Sequence, residues 1–592
     1  MKINTLIFSV ICLLNFSCSI NGYKDKNIQY NKVQLTPEEK LIVNQSLKGM
    51  HEKYDPEGKM LISILDGYNY HTDATSGKYH HVRSSFSYAV LLLDSGDEQF
   101  TRRAFDVIEK TITLQDQDTT SKSCGVWPYY QEEPLATKKS PIDFNWADFN
   151  AVSLLDVWMG HQDKIPEDLK PKIQNALILA AKSIQKRNMG PGYTNIAIMG
   201  TYVTYMVSHL FDLPEMKEYS NVRLKRFYDY TLEKDGFSEY NSPTYTVVAL
   251  DELFRMKSHI IEPVAKQRID SLYSIGWEII ARHYHKPSGQ WAGPHSRSYS
   301  TLVKPGFYAI LKEGSSGKID LGIIENRSDV KIKHQIPAHL LHYFLTPEYP
   351  RTEFDVFEKE EPKTTGTCYM TERYAISTAN RSSLWNQRRP FLVYWGNVQS
   401  PKYLQIRFMH DNYDFSAATF YGQQKENQVL AVINFISNGG DKHISIDRFE
   451  DGKFMAKDLR LRFEFGNVQS PDELAIPESV NDPFVISIDQ LKFNFQLCSS
   501  EFDGAKGYWE KGSDGKTSWI DFVFYSGTEK EIDLIKMNRA VSAFIFELKS
   551  TEEKKEFKKA DVSENEGILK IEWNGLKLET PLKPQAPKNN FI

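Results

Sequence analysis

Residues 347–365 read PEYPRTEFDVFEKEEPKTT, and this stretch separates two kinds of pattern in the chain. It is rich in Pro, Glu and Lys, which predicts a linker over residues 346–366. Before it, from about Leu35 to Leu345, apolar residues recur at helical spacing. Phe149, Val152, Leu155 and Trp158 share one face of a helix expected over 147–159. Ile173, Ala176, Leu177, Ala180, Ala181 and Ile184 mark a second. Further helices are expected over 196–211, 247–261 and 265–282. After it, short β-type runs dominate: Phe391-Leu392-Val393-Tyr394-Trp395, Val429-Leu430-Ala431-Val432-Ile433 and Trp519-Ile520-Asp521-Phe522-Val523-Phe524. Asn574-Gly575 between two such runs predicts a tight hairpin.

The expected architecture is therefore multidomain α+β. Residues 35–345 form a helical domain, and residues 367–592 form an antiparallel β-sandwich. Successive amphipathic helices without a short sequence repeat call for a closed or layered arrangement and argue against a regular solenoid.

The length of 592 residues is too great for one ordinary core. The net charge of -5 argues against a nucleic-acid binder, which would need a basic face to neutralise phosphates. Aromatic residues make up 13% of the chain, including 31 Tyr and 10 Trp, which suits either a large core or a glycan groove. At the N-terminus, Lys2 and an apolar run from Leu6 to Leu14 read as a signal peptide over residues 1–22. Ser17-Cys18 resembles a lipobox with Asn15 in place of the usual aliphatic residue. Export is expected, to the periplasm or as an outer-membrane lipoprotein, with a possible lipid anchor through Cys18. Cys124, Cys368 and Cys498 lie far apart and predict neither a disulfide framework nor a zinc site. The alternate His283 and His285 lack a third ligand at readable spacing, so no metal and no cofactor is expected.

One constellation carries chemistry: Asp235-Gly236-Phe237-Ser238-Glu239-Tyr240-Asn241-Ser242-Pro243-Thr244-Tyr245, followed by a helix. About fifty positions earlier, Tyr193-Thr194-Asn195-Ile196 opens another helix. These two segments resemble motifs of the heparinase II/III and alginate lyase superfamily of polysaccharide lyases. The resemblance implies an incomplete (α/α) toroid followed by an antiparallel β-sandwich. It implies that Tyr245 is a catalytic acid/base and that Asn195 binds the substrate carboxylate. It also implies a His from the sandwich side of the cleft, for which His410 is the candidate. Ile196 and Thr246 stand where those lyases often carry His.

The chemistry agrees with those residue types. Removing the C5 proton of a uronate builds negative charge beside an existing carboxylate, so an amide or cation must hold that carboxylate. Asn195 supplies an amide. A Tyr can serve as base or acid, but as a base it needs a nearby cation to lower its pKa. The segment Gln290-Trp291-Ala292-Gly293-Pro294-His295-Ser296-Arg297-Ser298-Tyr299 compresses His295, Arg297, Trp291 and Tyr299 into one loop and is a plausible rim for an anionic sugar. Glu239 and Tyr240 lie within the main motif. His81 and Arg83, with Trp146 and Trp127, are further substrate-binding candidates; core packing and capping are the plain alternatives for each. The expected function is β-elimination on an anionic, uronate-containing polysaccharide. A glycoside hydrolase using two of Glu239, Asp148, Asp235 and Asp251, or a non-catalytic glycan-binding lipoprotein, are the alternatives.

Overall fold

The computed structural model describes residues 25–67, 69–323, 329–440, 451–505 and 507–586. The expected signal peptide and Cys18 lie outside the described residues.

The helical half contains α1 (Pro37–His51), α2 (Val82–Asp94), α3 (Glu98–Ile112), α4 (Asn145–His161), α5 (Lys170–Arg187), α6 (Thr194–Leu210), α7 (Pro214–Glu233), α8 (Tyr245–His259) and α9 (Pro263–His283). α2, α4, α6 and α8 pack side by side as an inner row. Each is followed by a helix of the outer row: α3, α5, α7 and α9. The sequences follow this division. α6 is apolar or small on all sides, and every residue from Thr194 to His209 is buried. Outer α3 instead buries one stripe, Ala104, Phe105, Val107, Ile108, Thr111 and Ile112. The row curves into an incomplete toroid around a polar central cavity of about 270 Å³, lined by Arg83 and Asp94 of α2, Asp156 of α4, Met199 of α6 and Glu252 and Arg255 of α8.

A small antiparallel sheet, Tyr54–Asp55, Met60–Asp66 and Ser76–His80, sits between α1 and α2 within the stretch read as mainly helix. Its apolar run, from Met60 to Leu65, is too short to distinguish strand from helix by periodicity.

The other half is an antiparallel sandwich. One sheet has nine strands and the other six, and Phe, Leu, Ile and Val side chains between them form a single core. The strand Gln428–Phe435 is buried at every position. This explains the unbroken apolar run there: the six-stranded sheet is covered on its second face as well, by a three-stranded sheet bearing Leu569, Ile571 and Trp573. The expected hairpin is present, with Trp573 paired to Leu576 and both Asn574 (φ 47°) and Gly575 (φ 88°) left-handed.

The linker expected over residues 346–366 is corrected. Arg351–Glu358 is a strand on the outer edge of the nine-stranded sheet, paired with Thr364–Met370. An edge strand tolerates charged residues. Here they also dock the two halves: Arg282 of α9 donates from Nε to Glu353 at 2.9 Å and from Nη1 to Asp355 at 2.7 Å. His283 lies 3.0 Å from the same Asp355. The interface also has an apolar patch, where Ala292 and Leu302 pack on Cys368, Met370, Leu392 and Tyr394 of the sheet.

Candidate active site

The segment joining α7 to α8 and the loop 290–299 are pinned together by Asn241. This residue is 2% exposed and left-handed at φ 42°. Its amide Nδ2 donates to the carbonyls of Ala292 (2.8 Å) and Pro294 (3.0 Å). Its Oδ1 accepts from Trp291 Nε1, and its backbone carbonyl accepts from His295 Nδ1 at 2.7 Å. Ser242 Oγ donates to the carbonyl of Arg297 at 2.6 Å and accepts from the N–H of Tyr245 at 3.0 Å, so one hydroxyl ties the loop to the start of α8. The sandwich holds the loop from the other side. His295 and Arg389 exchange two backbone hydrogen bonds, of 3.1 and 3.0 Å. A Cβ at Gly293 would lie 2.9 Å from Ser377 Oγ, so this close approach requires glycine.

This frame presents Arg297 and two phenols. Tyr245 is the first residue of α8, and its Oη is 2.7 Å from the Oη of Tyr299, which is 54% exposed. The Arg297 guanidinium lies 4.4 Å from the centre of the Tyr245 ring. It donates from Nη1 to Glu239 at 2.9 Å, and from Nε and Nη2 to Gln387 Oε1 at 3.0 and 2.9 Å. Gln387 comes from the sandwich, as does Trp385, whose ring lies 5.3 Å from the same guanidinium. Glu239 is buried, and Thr194 lies beside its carboxylate. Thr194 and Asn195 are the first two residues of α6.

Burial pushes the Tyr245 phenol well above its ordinary pKa, and the charge of Arg297 opposes that shift. Burial likewise raises Glu239 against the pull of Arg297. Tyr70 is pushed up to about 12 by burial, with Tyr299, Asp143 and Tyr193 adding to the shift. At rest Tyr245 therefore keeps its proton, and Arg297 is the group that makes losing it less costly.

Of the residues singled out from sequence, Tyr245, Arg297, Tyr299 and Glu239 meet here, next to the helix start that carries Asn195. Asn195 sits inside α6 and not in the loop before it. The helix has no side-chain cap, and the Asn195 Oδ1 is buried without a hydrogen-bond partner, so capping is not its role. His81, Arg83 and Trp146 gather elsewhere, around Tyr129.

Five placements are corrected. His295 is 1% exposed and spends its ring N–H on a backbone carbonyl beneath the site. Trp291 is fully buried, bonded to Asn241 and stacked on Phe307. Trp127 is fully buried against Phe86 and donates to the Thr111 carbonyl at 3.0 Å. Tyr240 is buried with its ring 3.8 Å from that of Phe357. His410 is wedged between Phe415 and Phe454 of the sandwich, with Nε2 2.7 Å from the Met455 carbonyl. His295, Trp127 and His410 spend a ring nitrogen on backbone carbonyls, Trp291 bonds the Asn241 side chain, and Tyr240 packs against Phe357. The pair His283 and His285 is also structural: His285 contacts Ser288 Oγ and the Thr371 carbonyl. Gln387, Trp385, Tyr193, Tyr70 and His71 were not anticipated. Only Tyr193 carried a signal, as the neighbour of Thr194-Asn195.

Comparison with known proteins gives a family-model match over residues 40–314, described as a domain of unknown function (DUF8769). No curated protein matches. Among solved structures the chain is similar to heparinase III, at 9% identity over 95% of this chain and 93% of that one, with a TM-score of 0.47. It is also similar to a chondroitin AC lyase of Streptomyces coelicolor A3 in complex with chondroitin sulphate, at 8% identity, 92% and 84% coverage and a TM-score of 0.47. A heparinase III described as the BT4657 gene product aligns at 9% identity, 93% and 91% coverage and a TM-score of 0.39. At such identities no residue role passes from those proteins to this one.

Burial holds the His295 imidazole down to about 3. The ring is neutral in the fold, whereas in the unfolded chain it protonates near pH 6.5. Its contribution to stability is thus complete above about pH 6.5 and fades as pH falls toward 3. We expect the thermal midpoint to fall over that range, and His295→Gln to flatten the slope. An unchanged slope in that variant would show that His295 is not the linked group. Asn241→Ala leaves Trp291 Nε1 and two carbonyls unpaired in a buried place. It should cost about 3 kcal/mol in denaturant unfolding.

Proposed function

We propose that this protein cleaves a uronate-containing polysaccharide by β-elimination. The observation that carries the reading is the hydrogen-bonded phenol pair Tyr245–Tyr299 beneath Arg297, with the guanidinium fixed by Glu239 and Gln387. In the reaction a proton leaves C5, its electron pair forms the C4–C5 double bond, and the C4–O bond breaks. The departing oxygen then takes up a proton. The sum moves one proton from carbon to oxygen, which a phenol pair on one side of the sugar can accomplish. Arg297 stabilises the ionised phenol, and the N-terminal end of α8 adds to it. Asn195, neutral and buried at the start of α6, is suited to receive the substrate carboxylate as charge develops on it.

The hydrolase alternative needs a second carboxylate at this site. Of its four candidates only Glu239 is there. Asp235 pairs with Lys359 at 2.7 Å, Asp251 with His334 at 2.8 Å, and Asp148 is buried beside Arg223 under α6. We also propose export, with cleavage before Cys18 or soon after it; an intact Met1 in the native protein by mass spectrometry would refute it.

The decisive experiment is the product. On a panel of glycosaminoglycan, alginate, glucuronan and ulvan, a lyase generates a 4,5-unsaturated uronate that absorbs in the ultraviolet. New reducing ends without that absorbance would establish hydrolysis instead. Tyr245→Phe should lower kcat by at least about a hundredfold with the fold intact. Because burial raises the Tyr245 pKa and Arg297 lowers it, wild-type kcat/KM should climb through the alkaline range as the phenol ionises. Arg297→Gln should move that limb to higher pH. Asn195→Asp should reduce kcat about a hundredfold on the free uronate and less on its methyl ester. Wild-type turnover by a stable Asn195→Asp protein would remove Asn195 from the mechanism.

A further inference from the structure

A second concavity lies beside the site. It has a volume of about 410 Å³ and is lined by His71, His81, Arg83, Tyr129 and Trp146. Tyr70 connects the two places. Its ring is 4.0 Å from that of His71, and it lies within electrostatic reach of Tyr299 and Arg297. The wall is aromatic: His71 stacks on Tyr129 at 5.1 Å, and Trp146 lies 5.2 Å from the same Tyr129 ring. Trp146 is buried and backs the wall, so the ring open to the apolar face of a sugar is the half-buried Tyr129.

Arg83 is the exposed cation of this wall. Among the described residues its guanidinium has no hydrogen-bond or ion-pair partner. It lies 3.9 Å from the centre of the Phe149 ring and 5.9 Å from that of Trp146. Arg297, by contrast, has both a carboxylate and an amide oxygen. The carboxylate that acts on Arg83 from across the central cavity is Glu252. That acid is itself pushed up to about 7 by burial, so near neutrality it only partly balances the charge. His81 adds no cation, since burial and Arg83 hold it down to about 4. His71 is the other imidazole on this wall, and it faces Asp143 at 3.2 Å. The concavity thus contains a forked cation with unused N–H donors, set against rings that fix its orientation.

We propose that Arg83 is the centre of a second subsite, which binds a carboxylate or sulfate on a sugar of the same chain other than the one being cleaved, while that sugar's ring lies against Tyr129. Its position relative to cleavage rests on the lyase reading above. The substrate class that follows is a polyanion with charge on successive or alternating sugars, not a neutral chain with an isolated uronate.

The test is direct binding in a Tyr245→Phe protein that does not consume its ligand. The probes are glucuronan hexasaccharide, with carboxylates only, and chondroitin sulphate hexasaccharide, which adds sulfate. Calorimetry should show Arg83→Met weakening one or both by at least about tenfold, as expected for loss of a charge-assisted fork. A preference lost for the sulfated probe alone identifies sulfate as the group bound. Equal loss for both identifies carboxylate. Arg83→Met keeps the stem that packs on Phe149. Arg83→Lys should recover part of the affinity, because it keeps charge without the fork. The salt dependence of binding should be shallower in Arg83→Met than in its parent. Parent-like affinity in folded Arg83→Met, or no binding of either probe by the parent, overturns the subsite. Ultraviolet product from wild type alongside parent-like Arg83→Met binding would sink the subsite alone. Lost Arg83→Met binding without any ultraviolet product from wild type would sink the lyase reading and leave the subsite standing.

Discussion

The side chain of Asn241 is the constraint on which the rest of the site depends. A left-handed backbone places one amide where it saturates two carbonyls and an indole N–H of a loop fifty residues away. Its neighbour Ser242 does the same for the Arg297 carbonyl and the first turn of α8. Without these bonds the loop would carry several unpaired buried polar groups, each costing about 1–3 kcal/mol. The bonds thus decide where Arg297 and Tyr299 can be relative to Tyr245. The residues flanking Asn241, more than the reactive groups themselves, set the geometry of the reactive groups.

The electrostatics follow from that placement. Tyr245 is held among buried and aromatic groups, where an ionised phenol is costly, and a guanidinium lies over its ring. Arg297 in turn is kept from collapsing onto Glu239 alone because Gln387 occupies two of its donors. The neutral Gln387 fixes direction without cancelling charge, while Glu239 at 2.9 Å offsets part of it. The buried charges of the central cavity are organised differently. Asp94 pairs with Lys331 and His161, and Arg255 with Asp329, so those groups compensate one another.

Much of this was legible before the structure. The period of Phe149, Val152, Leu155 and Trp158, and the unbroken run Val429 to Ile433, reported their elements because burial on a helix stripe or on both faces of a sheet leaves a pattern in hydrophobicity alone. The strand Arg351–Glu358 did not, since an edge strand that docks through Glu353 and Asp355 is polar for good reason and looks like a linker. Within the site, Tyr245, Glu239 and Arg297 lie in two dense segments and were found together. His295, Trp291 and Trp127 have the same chemical capacity on paper, but burial assigns that capacity to backbone carbonyls and an amide. Gln387 was invisible because nothing in its local sequence states that a strand connection of the second domain reaches the loop of the first.

Gln387 has a consequence for how such a chain can be rearranged. The Asp235 to Tyr245 segment and the Arg297 loop both belong to the helical half, so by sequence the reactive machinery is self-contained there. The atom that directs the Arg297 guanidinium belongs to the sandwich, and so do the backbone groups of Arg389 that brace the loop. The groups that hold the Arg297 guanidinium are therefore drawn from both halves. Exchanging one sandwich for another by recombination would replace the group that aims the cation of the helical half. Shuffled halves must share the connection between the strands Arg381–Ser383 and Phe391–Asn397, not merely a compatible interface, to keep the Arg297 guanidinium aimed as it is here.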